Sequence, residues 1–155
     1  MGLKLFIDSS ALISGVLSSD DGPPMRGIVA LGEMSVLDLR ISNEVQGDAE
    51  YIVRKRAPAS LHIVAELIVK GNVATIPDPN DDTVKRCSVL TGYLPDARIL
   101  AAAIECAADV LVTFDGEHLL GNASIRPPDA SILVMTPKDC LEWCANEWLK
   151  TRQVK

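Results

Sequence analysis

The chain has 155 residues, of which 48% are hydrophobic and 4% aromatic. This length supports one hydrophobic core and is too short for two ordinary domains, so we expect a single domain over residues 1–150 and a tail at 151–155. The formal net charge of −6 argues against a protein that coats nucleic acid through bulk positive charge. It does not exclude a nuclease, because a carboxylate site that recruits cations must be locally acidic.

Two features of the sequence bear on localisation. The apolar run at the N-terminus stops at Asp8 and is too short for a signal peptide or a membrane span. The four cysteines have no C-x-x-C spacing and lie in apolar helical patterns, so buried free thiols are expected rather than disulfides or zinc ligands. They are Cys87, Cys106, Cys140 and Cys144. We therefore expect a cytoplasmic protein that does not contact a membrane.

The first half of the chain alternates between strand and helix patterns. Ser9 and Ser10 offer N-cap hydroxyls for a helix after the first strand, and Ser42 does so after the second. In the second strand, apolar and charged residues alternate, which is typical of a half-buried strand. The predicted elements are a strand over 3–7, a helix over 11–17, a loop over 18–24, a helix over 26–33, a strand over 36–41 and a helix beginning after Ser42.

The second half continues the alternation. Pro95 suits the first turn of an Ala-rich helix. The predicted elements are a helix over 58–69, a strand over 73–76, helices over 82–90 and 96–108, a strand over 110–114, a surface loop over 116–130, a strand over 131–135 and a helix over 137–149. This order predicts an α/β fold, a three-layer α/β/α sandwich around a parallel sheet of four to five strands.

Four aspartates are predicted to meet at one edge of this sheet. Asp8 and Asp115 each follow an apolar strand, and ligands of open α/β sheets bind outside the carboxyl ends of the strands. Asp48 and Asp96 lie near the starts of helices, which parallel connections return to the same edge. Each residue also has an ordinary structural interpretation as a helix cap or turn former.

The surroundings of these acids favour a metal site. Asp48 is flanked at helical spacing by Val45 and Ile52, which predicts that it leans toward the buried side of its helix. Two carboxylates about 4 Å apart repel by roughly 4 kcal/mol at an effective dielectric near 20, and a hard cation removes that repulsion. Oxygen-only ligands select Mg²⁺ or Mn²⁺, which could activate a water molecule against a phosphodiester.

Competing motifs are absent from the sequence. It has no dinucleotide-binding or P-loop glycine pattern and no Gly-x-Ser-x-Gly hydrolase motif. An α/β protein phosphorylated on a strand-end aspartate remains an alternative, but Ser10 occupies the position two residues after Asp8 where such a protein usually has a second acid.

Three segments resemble the PIN domains, many of which are toxin ribonucleases of VapC-type toxin–antitoxin pairs. Residues 6–13 look like the family's opening strand and aspartate, residues 95–103 like its third acidic motif, and residues 111–115 like its fourth. The second motif differs, because Asp48 stands where the family usually has a glutamate. Ser10 also replaces the usual Asn.

The resemblance implies a site and an activity. Asp8, Asp96 and Asp115 would bind metal, and Asp48 or Glu44 would complete the cluster. Ser9 and Thr113 would be supporting hydroxyls. The implied reaction is metal-dependent endonucleolytic cleavage of single-stranded RNA that leaves 5′-phosphate and 3′-hydroxyl ends, and toxin members imply an antitoxin partner and a homodimer. The rival hypothesis is a binding or scaffold module that keeps the PIN-like fold without turnover.

Overall fold

A computed structural model describes residues 2–17 and 22–153 of the chain. Its centre is a sheet of five parallel strands in the order β3-β2-β1-β4-β5. The strands are β1 (Leu3–Ile7), β2 (Leu37–Ser42), β3 (Ala74–Ile76), β4 (Val110–Val112) and β5 (Leu133–Met135). The predicted α/β/α sandwich with a parallel sheet of four to five strands is therefore confirmed.

Helices occupy most of the remaining chain. They are α1 (Ser9–Val16), α2 (Gly22–Glu33), α3 (Asn43–Arg56), α4 (Leu61–Lys70), α5 (Asp81–Thr91), α6 (Leu94–Glu105) and α7 (Pro137–Gln153), with a 3₁₀ turn at Pro58–Ser60 before α4. In the described part of the chain, none of these helices is both long enough and apolar enough to cross a membrane.

Strand β1 lies at the centre of the sheet, which explains its composition. Strand β1 pairs with β2 on one side and with β4 on the other. Leu5, Phe6 and Ile7 are buried, as expected for a central strand of a parallel sheet that helices cover on both faces. The strand order reverses at β1, and the crevice between β1 and β4 is the topological switch point where open parallel sheets bind ligands. Asp8 lies at that point, and its backbone N–H donates to the Val112 carbonyl at 2.9 Å.

Several predicted boundaries differ from the structure. Asp8, rather than Ser9 or Ser10, is the N-cap of α1, and it accepts a hydrogen bond from the Ser9 backbone N–H. Strand β4 ends at Val112, so Asp115 follows it by a short turn. Residues 22–24 of the predicted loop belong to α2, and residues 18–21 lie outside the described residues.

The last helix is longer than predicted, whereas the cysteines and the Ser42 cap agree with the predictions. Helix α7 continues through residues 151–153 of the predicted tail, and residues 154 and 155 lie outside the described residues. All four cysteines are free, as predicted; three are buried and Cys106 is partly buried. The Ser42 N-cap is confirmed, because its hydroxyl accepts from the Val45 backbone N–H at 3.2 Å.

Candidate active site

Asp8 is a buried carboxylate that accepts four hydrogen bonds from three residues, the longest of them from the Ser9 hydroxyl to Oδ1 at 3.5 Å. Its side chain is 7% exposed. The Thr113 hydroxyl donates to Oδ2 at 2.7 Å, the Ser10 hydroxyl donates to the same oxygen at 3.3 Å, and the Ser9 backbone N–H donates to Oδ1 at 2.7 Å. Burial raises the pKa of Asp8, the three hydrogen bonds oppose that effect, and the negative charge of Asp115 raises it further. The net effect is a raised pKa, so burial makes the ionised form of Asp8 less favourable. The hydrogen bonds fix the orientation of the carboxylate.

Thr113 links Asp8 to Asp115. The Thr113 side chain is fully buried, and its hydroxyl accepts from the Asp115 backbone N–H at 3.0 Å while it donates to Asp8. One hydroxyl therefore fixes the turn after β4 relative to the end of β1. These hydrogen bonds are those that a supporting hydroxyl would make, and the role of Thr113 in a functional site stays a prediction.

Ser10 has a larger structural role than the sequence suggested. Its hydroxyl donates to Asp8 and also accepts from the Phe114 backbone N–H at 3.0 Å. From the sequence, Ser10 was expected to offer an N-cap hydroxyl and to depart from the usual Asn, but not to link Asp8 to the segment after β4. The signal that could have identified it is a hydroxyl two residues after the strand-end aspartate, within reach of that carboxylate across the first turn of α1.

Asp96 and Asp115 form a coupled pair. Asp96 lies in the first turn of α6, and its Oδ2 is a buried oxygen to which no residue in the described part of the chain donates a hydrogen bond. Burial, contact with the Asp115 carboxyl and the charge of Asp115 raise the pKa of Asp96 to about 7. Two carboxylates can share a hydrogen bond only when one carries a proton, so Asp96 holds that proton below about neutral pH.

Asp115 is the more acidic partner. Burial alone would raise its pKa, but the interaction with Asp96 and the backbone N–H groups of His118 and Glu117 lower it overall. These N–H groups donate to Oδ1 at 3.1 and 2.9 Å. The loop that follows β4 therefore wraps around the Asp115 carboxylate and stabilises its ionised form.

The same loop is anchored beside the acids by aromatic stacking. The His118 ring lies on Tyr93 with centroids 4.8 Å apart and planes inclined by 15°. The Asn122 side-chain amide donates to the carbonyls of His118 and Leu90 at 2.8 and 2.9 Å. His118 thereby faces both Asp96 and Asp115 and lowers the pKa of each.

The fourth acid was predicted on an argument that the structure contradicts. Asp48 is exposed rather than on the buried side of α3, because Val45 and Ala49 are the residues of this turn that enter the core. The neighbouring acids nevertheless affect its carboxylate. Partial desolvation, and then the charges of Glu44 and Asp8, raise the pKa of Asp48.

Glu44 is engaged elsewhere. The Arg98 Nε donates to its two carboxylate oxygens at 3.0 and 3.3 Å. This ion pair neutralises Glu44 and holds it against α6. Of the two alternatives for the second motif, Asp48 is therefore the one whose carboxylate forms no ion pair with a Lys or Arg among residues 2–17 and 22–153.

The donor set fits a divalent cation. Within the described residues, Asp8, Asp48, Asp96 and Asp115 form no ion pair with Lys or Arg. In that part of the chain, no three His, Cys, Asp or Glu side chains lie close enough together, as they stand, to hold a metal ion. The fit rests instead on the chemistry of the groups: all are carboxylates, Asp96 Oδ2 is buried without a donor, and Asp96 and Asp115 compete for one proton. Hard cations prefer such oxygen ligands.

Two solved structures have similar folds. PAE2754 from Pyrobaculum aerophilum matches with a TM-score of 0.65 and 19% sequence identity, over 93% of this chain and 90% of that chain. The sarcin–ricin-loop-cleaving toxin VapC20 of Mycobacterium tuberculosis matches with a TM-score of 0.56 and 13% identity, over 74% of this chain and 92% of that chain. The chain thus has a PIN/VapC-like fold, as the resemblance implied.

No protein-family model matches this sequence, and no curated protein matches it. The likeness is therefore one of structure, and it establishes the fold alone.

Proposed function

We propose that this protein is a divalent-metal-dependent endoribonuclease that cleaves single-stranded RNA. The observation that supports the proposal is that Asp8, Asp96 and Asp115, from three separate elements, affect one another's pKa through their charges or contacts. In addition, no described residue donates a hydrogen bond to the buried Asp96 Oδ2. Neighbouring carboxylates repel one another, and a bound cation would remove that repulsion.

Asp8, Asp96 and Asp115 would hold Mg²⁺ or Mn²⁺, and Asp48 would complete the ligand set. A bound ion of this kind supplies an activated water and neutralises the charge that develops on the phosphodiester oxygens. Glu44 takes no part, because Arg98 already binds its carboxylate.

The surrounding residues prepare the carboxylates. Thr113 and Ser10 fix Asp8 from one side and the Ser9 N–H fixes it from the other, so Asp8 requires little reorganisation. The backbone N–H groups of the loop keep Asp115 ionised. Asp96 must lose its proton before it can act as a ligand, and we therefore expect metal affinity to increase as the pH rises through about 7.

The RNA substrate and the partners are supported by the likeness of the fold to VapC20 and by the three acidic motifs. On this basis we propose that the protein is the toxin of a toxin–antitoxin pair, acts as a homodimer and is inhibited by an antitoxin protein. Water attack on the phosphorus would leave 5′-phosphate and 3′-hydroxyl ends.

The test is cleavage of a labelled single-stranded RNA with Mn²⁺, compared with the same reaction in EDTA. We expect cleavage with Mn²⁺ alone and a loss of about 100-fold or more in the Asp96→Asn and Asp115→Asn variants, as for removal of central catalytic groups. Asp82→Asn is the matched control, because Asp82 also lies in the first turn of a helix. Equal activity of Asp96→Asn and the unmodified chain would overturn the proposal.

The rival function is an RNA-binding or scaffold module without turnover. The exposure of Asp48 and its replacement of the usual glutamate favour it. Thermal denaturation with increasing Mn²⁺ discriminates between the two, because an ion that binds only the folded chain raises its stability by mass action. A nuclease site gains stability with Mn²⁺, whereas a site that has lost its metal does not.

A further inference from the structure

Helix α3 carries an exposed stripe that begins at the acid cluster. Asp48, Tyr51 and Lys55 are spaced by three and four residues, so they lie along one face of the helix. All three are exposed. A rise of 1.5 Å per residue separates Asp48 from Lys55 by about 10 Å along the axis. The stripe therefore leads outward from the cluster over the surface.

Tyr51 and Lys55 form an organised pair on this stripe. The Lys55 Nζ lies 4.4 Å from the centroid of the Tyr51 ring, and the ring is 54% exposed. Neither residue enters the core. The contact holds a long cationic side chain over a flat aromatic surface that remains open to solvent.

The pair lies beside a basic cluster on a protein that is acidic as a whole. The protein has a net charge of −6, yet Arg54, Lys55 and Arg56 form a dense basic cluster at the end of α3. Cations in a last turn stabilise the helix dipole, which accounts for a basic residue there. The helix dipole does not account for an exposed tyrosine one turn earlier, toward Asp48.

An aromatic surface beside a cation is the combination that binds single-stranded nucleic acid. Bases stack on exposed rings, and lysine or arginine follows the phosphates. We propose that Tyr51 and Lys55 form a nucleotide subsite, in which Tyr51 stacks on a base that flanks the cleaved bond and Lys55 binds a backbone phosphate. This inference rests on the proposed nuclease function, since it takes the acid cluster as the place of cleavage.

The subsite is tested by RNA binding in the full chain carrying Asp96→Asn, so that the RNA stays intact. Fluorescence anisotropy of a short labelled single-stranded RNA is measured for added Tyr51→Ala, Tyr51→Phe and Lys55→Gln changes. Lys70→Gln is the matched control, because Lys70 is an exposed last-turn cation of α4. Thermal denaturation verifies that each variant is folded.

We expect Tyr51→Ala to weaken binding roughly 5- to 150-fold, the range for one stacked base. Tyr51→Phe keeps the ring and should bind like the parent chain. Lys55→Gln should weaken binding and reduce the slope of log affinity against log salt by about 0.7, the value for one phosphate contact on a single strand. Lys70→Gln should leave both quantities unchanged.

Two results would overturn the subsite: Tyr51→Ala and Lys55→Gln binding as tightly as Lys70→Gln, or Tyr51→Phe binding as weakly as Tyr51→Ala. Mn²⁺-dependent cleavage by chains that retain Asp96 is measured in parallel. If the chain cleaves RNA but its RNA affinity does not change in Tyr51→Ala, the subsite is refuted and the nuclease function is not. Binding that depends on Tyr51 without cleavage refutes the nuclease alone.

Discussion

Asp96 occupies a position where two electrostatic effects have opposite signs. A carboxylate in the first turn of α6 interacts favourably with the helix dipole, by about 0.3–1 kcal/mol. The same carboxylate faces Asp115, and burial and that neighbour raise its pKa from 3.8 to about 7. Asp96→Asn in the metal-free protein removes both effects, so the change in stability shows which is larger.

Burial and repulsion by Asp115 together outweigh the interaction with the helix dipole. Each pH unit of displacement corresponds to about 1.4 kcal/mol, so a pKa of about 7 instead of 3.8 sets an upper bound of about 4 kcal/mol. Solvent screening and the lowered pKa of Asp115 reduce this to about 2 kcal/mol. After loss of the dipole term, Asp96→Asn should still stabilise the metal-free protein by about 1–2 kcal/mol, or roughly 2–8 °C in melting temperature.

The gain should depend on pH in a defined direction. A carboxyl group with a raised folded-state pKa favours folding while it is protonated, and this contribution is lost as the pH rises from about 4 to about 7. Asp96→Asn should therefore melt higher than the parent chain at about pH 8 in EDTA and show little gain near about pH 4.

The assay is thermal denaturation by circular dichroism, with Asp82→Asn as control. Asp82 lies in the first turn of α5, so its replacement should cost the dipole interaction, about 0.3–1 kcal/mol. If Asp96→Asn loses stability at about pH 8 as the control does, Asp96 is an ordinary helix-start residue and the argument from repulsion fails.

Three further substitutions test the hydrogen bonding at Asp8 and the packing of two helices. Thr113→Val removes the 2.7 Å bond to Asp8 and should destabilise the folded chain by about 1–3 kcal/mol in chemical denaturation; an unchanged stability would contradict the role of this hydroxyl. Gly32→Ala should destabilise the protein by about 1–3 kcal/mol or more, because a Cβ there would clash with the Gly71 backbone carbonyl oxygen and would also lie 2.6 Å from Leu39 Cδ1. Gly47→Ala in α3 meets nothing within 4 Å and should stabilise it by up to about 1 kcal/mol through helix propensity. Similar effects of the two alanines would refute the close contact at Gly32.

Local signals predicted the parts of the fold that depend on local chemistry. The apolar run at Leu3–Ile7 and the Ser42 cap were predictable, because a buried strand and a helix start each leave a short sequence pattern. The meeting of Asp8 and Asp115 followed from the sheet itself, since parallel strands end at one edge. These predictions needed no knowledge of side-chain contacts.

Other features depend on partners distant in sequence. Arg98 binds Glu44 across 54 positions, and no local pattern distinguishes that ion pair from a free carboxylate. Asp48 lies at helical spacing from Val45, yet the buried face of α3 is formed by Val45, Ala49 and Val53, and Asp48 is exposed to solvent. The elevated pKa of Asp96 likewise depends on how closely two elements approach each other. Neither the distances between these residues nor their burial could be predicted from local sequence patterns.

The most direct measurement is Mn²⁺ binding, followed by electron paramagnetic resonance of the free ion in the parent chain and its variants. We expect the parent chain to bind Mn²⁺, Asp96→Asn to bind it at least about 10-fold more weakly, as for loss of a ligand, and Asp48→Asn to weaken binding more than Glu44→Gln. Absence of Mn²⁺ binding by the parent chain, or equal binding by Asp96→Asn, would contradict the assignment of these carboxylates as a metal site.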